Sequence, residues 1–284
     1  YVLVGDGCLM EGVSHESISF AGHLKLNKLI VLFDDNSISI DGDTELAVSD
    51  NQLARFEASG WNVRGIDGHD YNQIITALQD AQFSDKPSLI ACKTIIGFGA
   101  PNKAGTAACH GAPLGEEELA EARNKLGWES QAFEVPEKIM DIWSSVGRRS
   151  QKQFTSWSDR LTLSDPNTKE AFDLAITGQL PKELKEIINL FKEEVTREEP
   201  KWATRKASGE FLESIVNILP ALTGGSADLT GSNNTKTSKS KPIQLNDFSG
   251  NYVYYGVREF GMAAIMNGMA LHGGVIPYGG TFLV

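Results

Sequence analysis

Cysteine is scarce in this chain: 284 residues hold three, Cys8, Cys92 and Cys109. An odd, unpatterned trio argues against a disulfide framework and for a reducing compartment, which makes the cytoplasm the expected location. Basic residues are in the minority, 26 Lys and Arg against 37 Asp and Glu, for a net charge of −11. An acidic chain gains nothing from counterion release on a polyanion, so nucleic acid is not an expected partner. Long apolar runs are lacking too. Those present are short and broken by glycine, which argues against a membrane span. His15-Glu16 and Cys109-His110 lack the second, spaced pair that a tetrahedral zinc site requires. No internal repeat is visible.

What the chain does have is length and ordinary apolar content, enough for one large or two medium domains with a sizeable core. Residues 1–4, 29–33 and 88–92 are apolar runs bounded by polar turns and read as buried parallel strands. Residues 12–26 and 71–82 carry apolar positions at helical spacing, the second ended by Ser84-Asp85-Lys86-Pro87. This alternation predicts an α/β fold with a doubly wound parallel sheet. A helix over 116–125 is signalled by acids in its first turn, Arg123 and Lys125 in its last, and Gly127 beyond. From about 130 to 200 charge rises and periodicity weakens, and a mostly helical connector is expected. A second α/β unit begins near Trp202, with a helix over 206–218, a strand and turn at 222–225 and an apolar helix from Glu259 to about 271. Residues 232–242 are rich in Lys, Ser and Thr and read as a mobile loop. Both ends look cut, because each lies in an apolar run; the expectation is an internal piece of a longer chain.

Two segments carry the chemistry. Gly5-Asp6-Gly7 closes the first strand, and Asp34-Asp35-Asn36 closes the second. Carboxylates and an amide at the carboxyl ends of parallel strands offer hard oxygen ligands where an α/β sheet binds its ligand. Taken alone, Asp6 and Asn36 read equally well as strand-end turn residues. Glu259, in Arg258-Glu259-Phe260-Gly261-Met262, is the only acid among residues 251–284 and opens an apolar helix. Alone it reads as a first-turn acid stabilised by the helix dipole. In an apolar site its pKa would rise and it could do acid–base work.

Gly5-Asp6-Gly7 followed by Asn36 resembles the thiamine-diphosphate fingerprint. Six longer strings occur in the order found in the transketolase family: GDGCLMEG (5–12), DDNSISIDG (34–42), HGAPLG (110–115), ATRKAS (203–208), GGSADLTGSN (224–233) and REFGM (258–262). The resemblance covers nearly the whole chain and is loosest at about 128–200. It implies a thiamine-diphosphate-binding fold of two partial domains, with parallel sheets flanked by helices. Residues 1–130 would be the end of the diphosphate-binding domain, 131–200 the connector, and 201–284 the start of the pyrimidine-binding domain.

The resemblance also implies roles. Asp6, Asn36 and the Ile38 carbonyl would hold Mg2+ (or Ca2+ or Mn2+) against the cofactor diphosphate, and Gly5 and Gly7 would admit phosphate to the backbone. Glu259 would be hydrogen-bonded to the cofactor's aminopyrimidine ring and set the proton there. His110 would stand over the diphosphate and the reacting carbon, although many relatives carry His and Asp where this chain has Ala107 and Ala108. Glu11 and Glu16 would link cofactor sites across a dimer, or be first-turn helix acids. Arg205 and Ser232 would hold a sugar phosphate, a task suited to a guanidinium fork. The alternative for Arg205 is a surface ion pair. Asp228 would line the cofactor pocket. His23, His69 and His272 have no evident partner and read as structural or solvated, His69 being the one whose loop could face the cofactor cleft.

The expected activity is transfer of a two-carbon ketol unit from a ketose phosphate to an aldose phosphate, in the pentose phosphate pathway or Calvin cycle, by a homodimer with active sites at the subunit interface. The chain by itself is expected to be inactive. The alternatives are a related thiamine enzyme, such as dihydroxyacetone synthase or deoxyxylulose-phosphate synthase, and a catalytically silent fragment or paralogue.

Overall fold

The structure is a computed structural model and describes residues 1–283. The chain forms two compact units, Tyr1–Gln151 and Lys152 onward.

In the first unit four parallel strands lie in the order β1-β2-β6-β5: β1 (Val2–Gly5), β2 (Ile30–Asp35), β5 (Asn62–Asp67) and β6 (Ser88–Lys93). A two-stranded antiparallel hairpin, β3 (Ile38–Ser39) with β4 (Gly42–Asp43), follows β2. Side chains along β2 and β6 alternate between faces, as the pleat requires. Val31, Phe33, Leu89 and Ala91 pack with Ile18 and Ala21 of α2 (Gly12–His23) and Phe56 of α3 (Gln52–Ala58). Ile30, Ile90 and Cys92 pack on the other face with Ala77 and Ala81 of α4 (Tyr71–Gln82). Helices on both faces confirm the doubly wound reading. Trp61 fixes α2 to the sheet layer by donating its indole N–H to the Ile18 carbonyl at 2.9 Å.

Local chemistry sets the element ends. Asp70 caps α4 by accepting from the N–H groups of Asn72 and Gln73. α5 (Glu116–Leu126) ends at Gly127, whose φ of 66° closes the helix in the left-handed form. Helical structure continues through α6 (Glu137–Thr162), within which the first unit ends, α7 (Pro166–Thr177) and α8 (Leu184–Glu198).

The second unit holds a three-stranded parallel sheet, β8-β7-β9: β7 (Leu222–Ser226), β8 (Tyr252–Tyr254) and β9 (Ile276–Pro277). β7 is buried along its length. Its core joins Leu222 to Ile215 and Leu219, at and just past the end of α9 (Thr204–Ile215), and to Ile187 of α8. α10 (Thr230–Asn233) follows β7, and α11 (Glu259–His272) precedes β9.

Several expectations are corrected. β1 is an edge strand with Leu3 82% exposed, not a buried one, because among the described residues it pairs only with β2. Asp6-Gly7 does not form a simple turn but opens a short helix, α1 (Asp6–Met10). β5 escaped the sequence reading because Asn62-Val63-Arg64-Gly65 mixes polar, charged and glycine residues. Residues 232–242 are not a free loop. Asn233, Thr235 and Thr237 are buried, and the Thr235 hydroxyl bonds Asn233 at 2.8 Å and the Tyr252 hydroxyl at 2.7 Å. Hydroxyls that partner one another can be buried without loss, so a polar composition did not imply exposure.

Candidate cofactor site

A cavity of about 550 Å³ opens at the carboxyl ends of β1 and β2. It brings together Gly5, Asp6, Gly7, Asn36, Ile38 and His110, six of the residues singled out from sequence. A Cβ built on Gly5 or Gly7 meets no protein atom within 4 Å, so their bare backbone faces open space. His110 reaches the cavity from the end of a 3₁₀ turn, Ala107–Cys109, where its N–H donates to the Ala107 carbonyl at 3.0 Å. The alanines at 107 and 108 therefore still permit a defined backbone in front of the histidine.

Asp6 is half-buried, and its carboxyl is pushed above the usual aspartate range. Burial is the main cause, with the Asp35 carboxylate next and Asp34 adding to it; a backbone N–H and Lys93 pull the other way. Negative charges thus converge on a carboxylate with incomplete compensation, a need that a divalent cation meets. The donor set suits such an ion: a carboxylate, the Asn36 amide oxygen and a backbone carbonyl at Ile38 are hard oxygens, few enough to leave positions for phosphate and water. No group of three His, Cys, Asp or Glu side chains able to hold a metal exists among the described residues. A cation here therefore depends on ligands that a diphosphate would bring.

Glu11, expected to serve this site, does not line the cavity. It is exposed between α1 and α2, with no side-chain cap bond, and Glu16 lies half-buried within α2.

The remaining candidates lie in the second unit. Glu259 is exposed at the start of α11. The apolar enclosure expected from its sequence neighbours is incomplete within this unit: Phe260 is 61% exposed and Ala263 is exposed, while Gly261 and Met262 are buried and Ala264 and Ile265 half-buried. Helical geometry puts consecutive residues on different faces, so an apolar sequence did not make an apolar enclosure. Asp228 stands just past β7 with a φ of 61°, a left-handed conformation that aspartate tolerates better than most residues. Arg205, in the first turn of α9, is exposed and makes no ion pair with any described residue; its neighbour Lys206 pairs with Glu210. Ser232 is exposed on α10. Arg205 and Ser232 flank a polar cavity of about 530 Å³ between α9 and the α10 region but do not themselves line it.

Two family models match the chain: "Transketolase, thiamine diphosphate binding domain" over residues 1–181 and "Transketolase, pyrimidine binding domain" over residues 200–284. The chain belongs to the transketolase family. The 1–181 match supports thiamine diphosphate as the cofactor. Transketolase of Sinorhizobium medicae is 51% identical over 285 residues, covering 100% of this chain and 41% of that protein. Transketolase 2 of Aliivibrio fischeri is 49% identical, covering 100% of this chain and 43% of that protein. Among solved structures, transketolase from Leishmania mexicana superposes with a TM-score of 0.90 at 37% identity, over 99% of this chain and 42% of that one. The Pichia stipitis transketolase in complex with sedoheptulose-7-phosphate gives the same TM-score and identity, over 99% and 43%. The chain thus spans about two fifths of the length of the relatives it matches.

Against this transketolase frame the remaining histidines sort themselves. His69 accepts the Ile95 N–H at 3.1 Å and stacks on Phe98 at 4.1 Å, facing a second cavity and not the one holding Asp6. His15 meets the Arg55 guanidinium at 3.0 Å. His23 is exposed in the last turn of α2, and His272 contacts the Gly273 carbonyl at 3.1 Å. One strand-end carboxylate noted from sequence and one residue missed there, Thr94, join the site. Asp34 lines the cavity and bonds Asn36, and Thr94 donates its hydroxyl to Asp34. Thr94 directly follows β6, next to β2 in the sheet, so its strand-end place was the signal that could have found it. No helix among the described residues is long and apolar enough to cross a membrane.

Proposed function

We propose that this chain carries the cation and pyrimidine ends of a transketolase active site, and that the whole protein moves a two-carbon ketol unit between sugar phosphates. The observation that carries this reading is the cavity that gathers Gly5, Asp6, Gly7, Asn36, Ile38 and His110 around a carboxyl whose charge is poorly compensated. Bound thiamine diphosphate supplies a carbon nucleophile for breaking and making carbon–carbon bonds next to a carbonyl.

The protein's own residues do the rest. Asp6, Asn36 and the Ile38 carbonyl would hold Mg2+, or Ca2+ or Mn2+, as hard oxygen ligands. Gly5 and Gly7 let the backbone approach phosphate oxygens. Glu259 holds a proton at the pyrimidine ring, and its exposed place at the start of α11 leaves it free to meet a cofactor. His110 exchanges protons with substrate oxygens above the cavity. Asp228 lines the pyrimidine side, and Arg205, which makes no ion pair among the described residues, and Ser232 take a substrate's terminal phosphate.

In this reading the protein acts as a homodimer with active sites at the subunit interface, with Glu11 and Glu16 near the link between sites. Residues 1–130 act as the end of the diphosphate domain, 131–200 as connector and 201–284 as the start of the pyrimidine domain. A cytoplasmic setting suits the three free cysteines. The test is to replace the aligned segment of the Sinorhizobium medicae transketolase with this chain and assay ketol transfer. Retained activity that is lost with Asp6→Ala supports the reading; a graft that folds, binds the cofactor and turns over nothing sinks it.

A further inference from the structure

The Asn36 side chain has two partners of fixed polarity. Its Nδ2 donates to Asp34 Oδ2 at 3.0 Å, and its Oδ1 accepts the Ile38 N–H at 2.9 Å. A carboxylate only accepts and a backbone N–H only donates, so these partners permit one orientation of the amide and forbid the flipped one. Asp34 is itself held: its other oxygen, Oδ1, accepts the hydroxyl proton of Thr94. The chain of contacts runs Thr94, Asp34, Asn36, Ile38, and it ties the end of β6 to the end of β2 and on to β3. Oδ1 of Asn36 keeps a second lone pair, the one atom of that side chain able to serve a cation.

We infer that Asp34 and Thr94 are positioning residues, which hold the Asn36 amide with its oxygen as the available ligand atom for a diphosphate-bound cation. The inference deepens, and rests on, the reading of Asp6, Asn36 and Ile38 as the cation site. Without Asp34 the amide loses its acceptor on the nitrogen side and can rotate, presenting N–H donors where a cation needs an oxygen. Partners behind the ligands of metal sites commonly act in this way.

Four variants separate position from charge. Asn36→Ala and Asp34→Ala remove the ligand and its support. Asp34→Asn keeps an oxygen able to accept from Asn36 while removing the charge. Thr94→Val keeps the carboxylate and removes only its anchor. The measurement is thiamine diphosphate affinity of the full chain by calorimetry with and without Mg2+, beside the exchange rate of the Asn36 side-chain amide protons by NMR in the ligand-free chain. The expected result is a loss of Mg2+-dependent affinity of about ten- to a hundredfold for Asp34→Ala, with most of it recovered in Asp34→Asn. Thr94→Val should show a smaller loss, and amide exchange should quicken in Asp34→Ala. Should Asp34→Ala melt early, Thr94→Val and the amide exchange decide the matter. Equal losses in Asp34→Asn and Asp34→Ala would mean that charge alone matters and overturn the inference. So would parent-like binding by Asp34→Ala when Asn36→Ala is impaired, a result that leaves the cation site itself intact. Parent-like binding by Asn36→Ala would instead remove the cation-site reading, and the positioning role with it.

Discussion

Gly5 pairs with Asp34 across the parallel β1–β2 ladder, which sets the Asp34-Asp35 carboxylates beside Asp6. Burial and those neighbours keep the Asp6 carboxyl above its ordinary range. At low pH the carboxyl is neutral in folded and unfolded chains alike. As pH climbs from about 4, the unfolded chain ionises first, while the fold resists. Stability of the ligand-free chain is therefore lost as pH rises through the raised native value. Asp6→Asn should melt higher than the parent at neutral pH, with the difference vanishing in acid, yet bind thiamine diphosphate and Mg2+ more weakly. Thermal melts across pH, with calorimetry on the same samples, check both halves. A neutral-pH melting point no higher than the parent's would show that the Asp6 charge is already compensated.

Glu259 is exposed in its own unit, so the acid–base role proposed for it would depend on what a bound cofactor and the rest of the protein place around it. In the grafted relative, Glu259→Ala should leave the fold and dimer intact and cut turnover about a hundredfold or more. Proton exchange at the thiazolium carbon of bound cofactor, followed by NMR, isolates the step. Exchange as fast as in the parent would remove Glu259 from cofactor activation.

Arg205 holds no anion among the described residues. In the same graft, Arg205→Ala should raise KM for phosphorylated sugars by the equivalent of about 1–3 kcal/mol and spare unphosphorylated acceptors. Equal losses on both would make Arg205 structural.

Gly22 is a packing requirement far from any chemistry. A Cβ there would lie 1.8 Å from the Ser59 carbonyl oxygen and 3.3 Å from the Trp61 ring. Gly22→Ala should destabilise the first unit by about 1–3 kcal/mol or more, since backbone must move. Urea unfolding followed by Trp61 fluorescence measures it; an unchanged midpoint would mean that α2 shifts at no cost.

Much of this was legible along the chain. The apolar runs behind β2 and β6, the spacing of Ile74, Ile75 and Leu78 in α4, and the acids and Gly127 bounding α5 are local signals set by pleat, helical period and capping. The Gly-Asp-Gly and Asp-Asp-Asn strings placed Asp6 and Asn36 at strand ends before any coordinates. Other features had no local signal. Asn62-Val63-Arg64-Gly65 becomes β5 only because β6 offers a ladder beside it, and Thr235 is buried only because Tyr252 and Asn233 supply partners.

The sequence by itself determined the family, the strand-end carboxylate and amide, and most of the helices, because each is a matter of residues close together in the chain. Tertiary structure alone decided that Thr94 anchors Asp34, that Asn62–Asp67 joins the sheet beside β6, and that Glu259 and Phe260 remain exposed. Those facts depend on strand order and on which helix face meets the sheet. Both are set by long-range packing, which brings together residues such as Asp34 and Thr94, 60 positions apart, and leaves no period or motif for a linear reading to find.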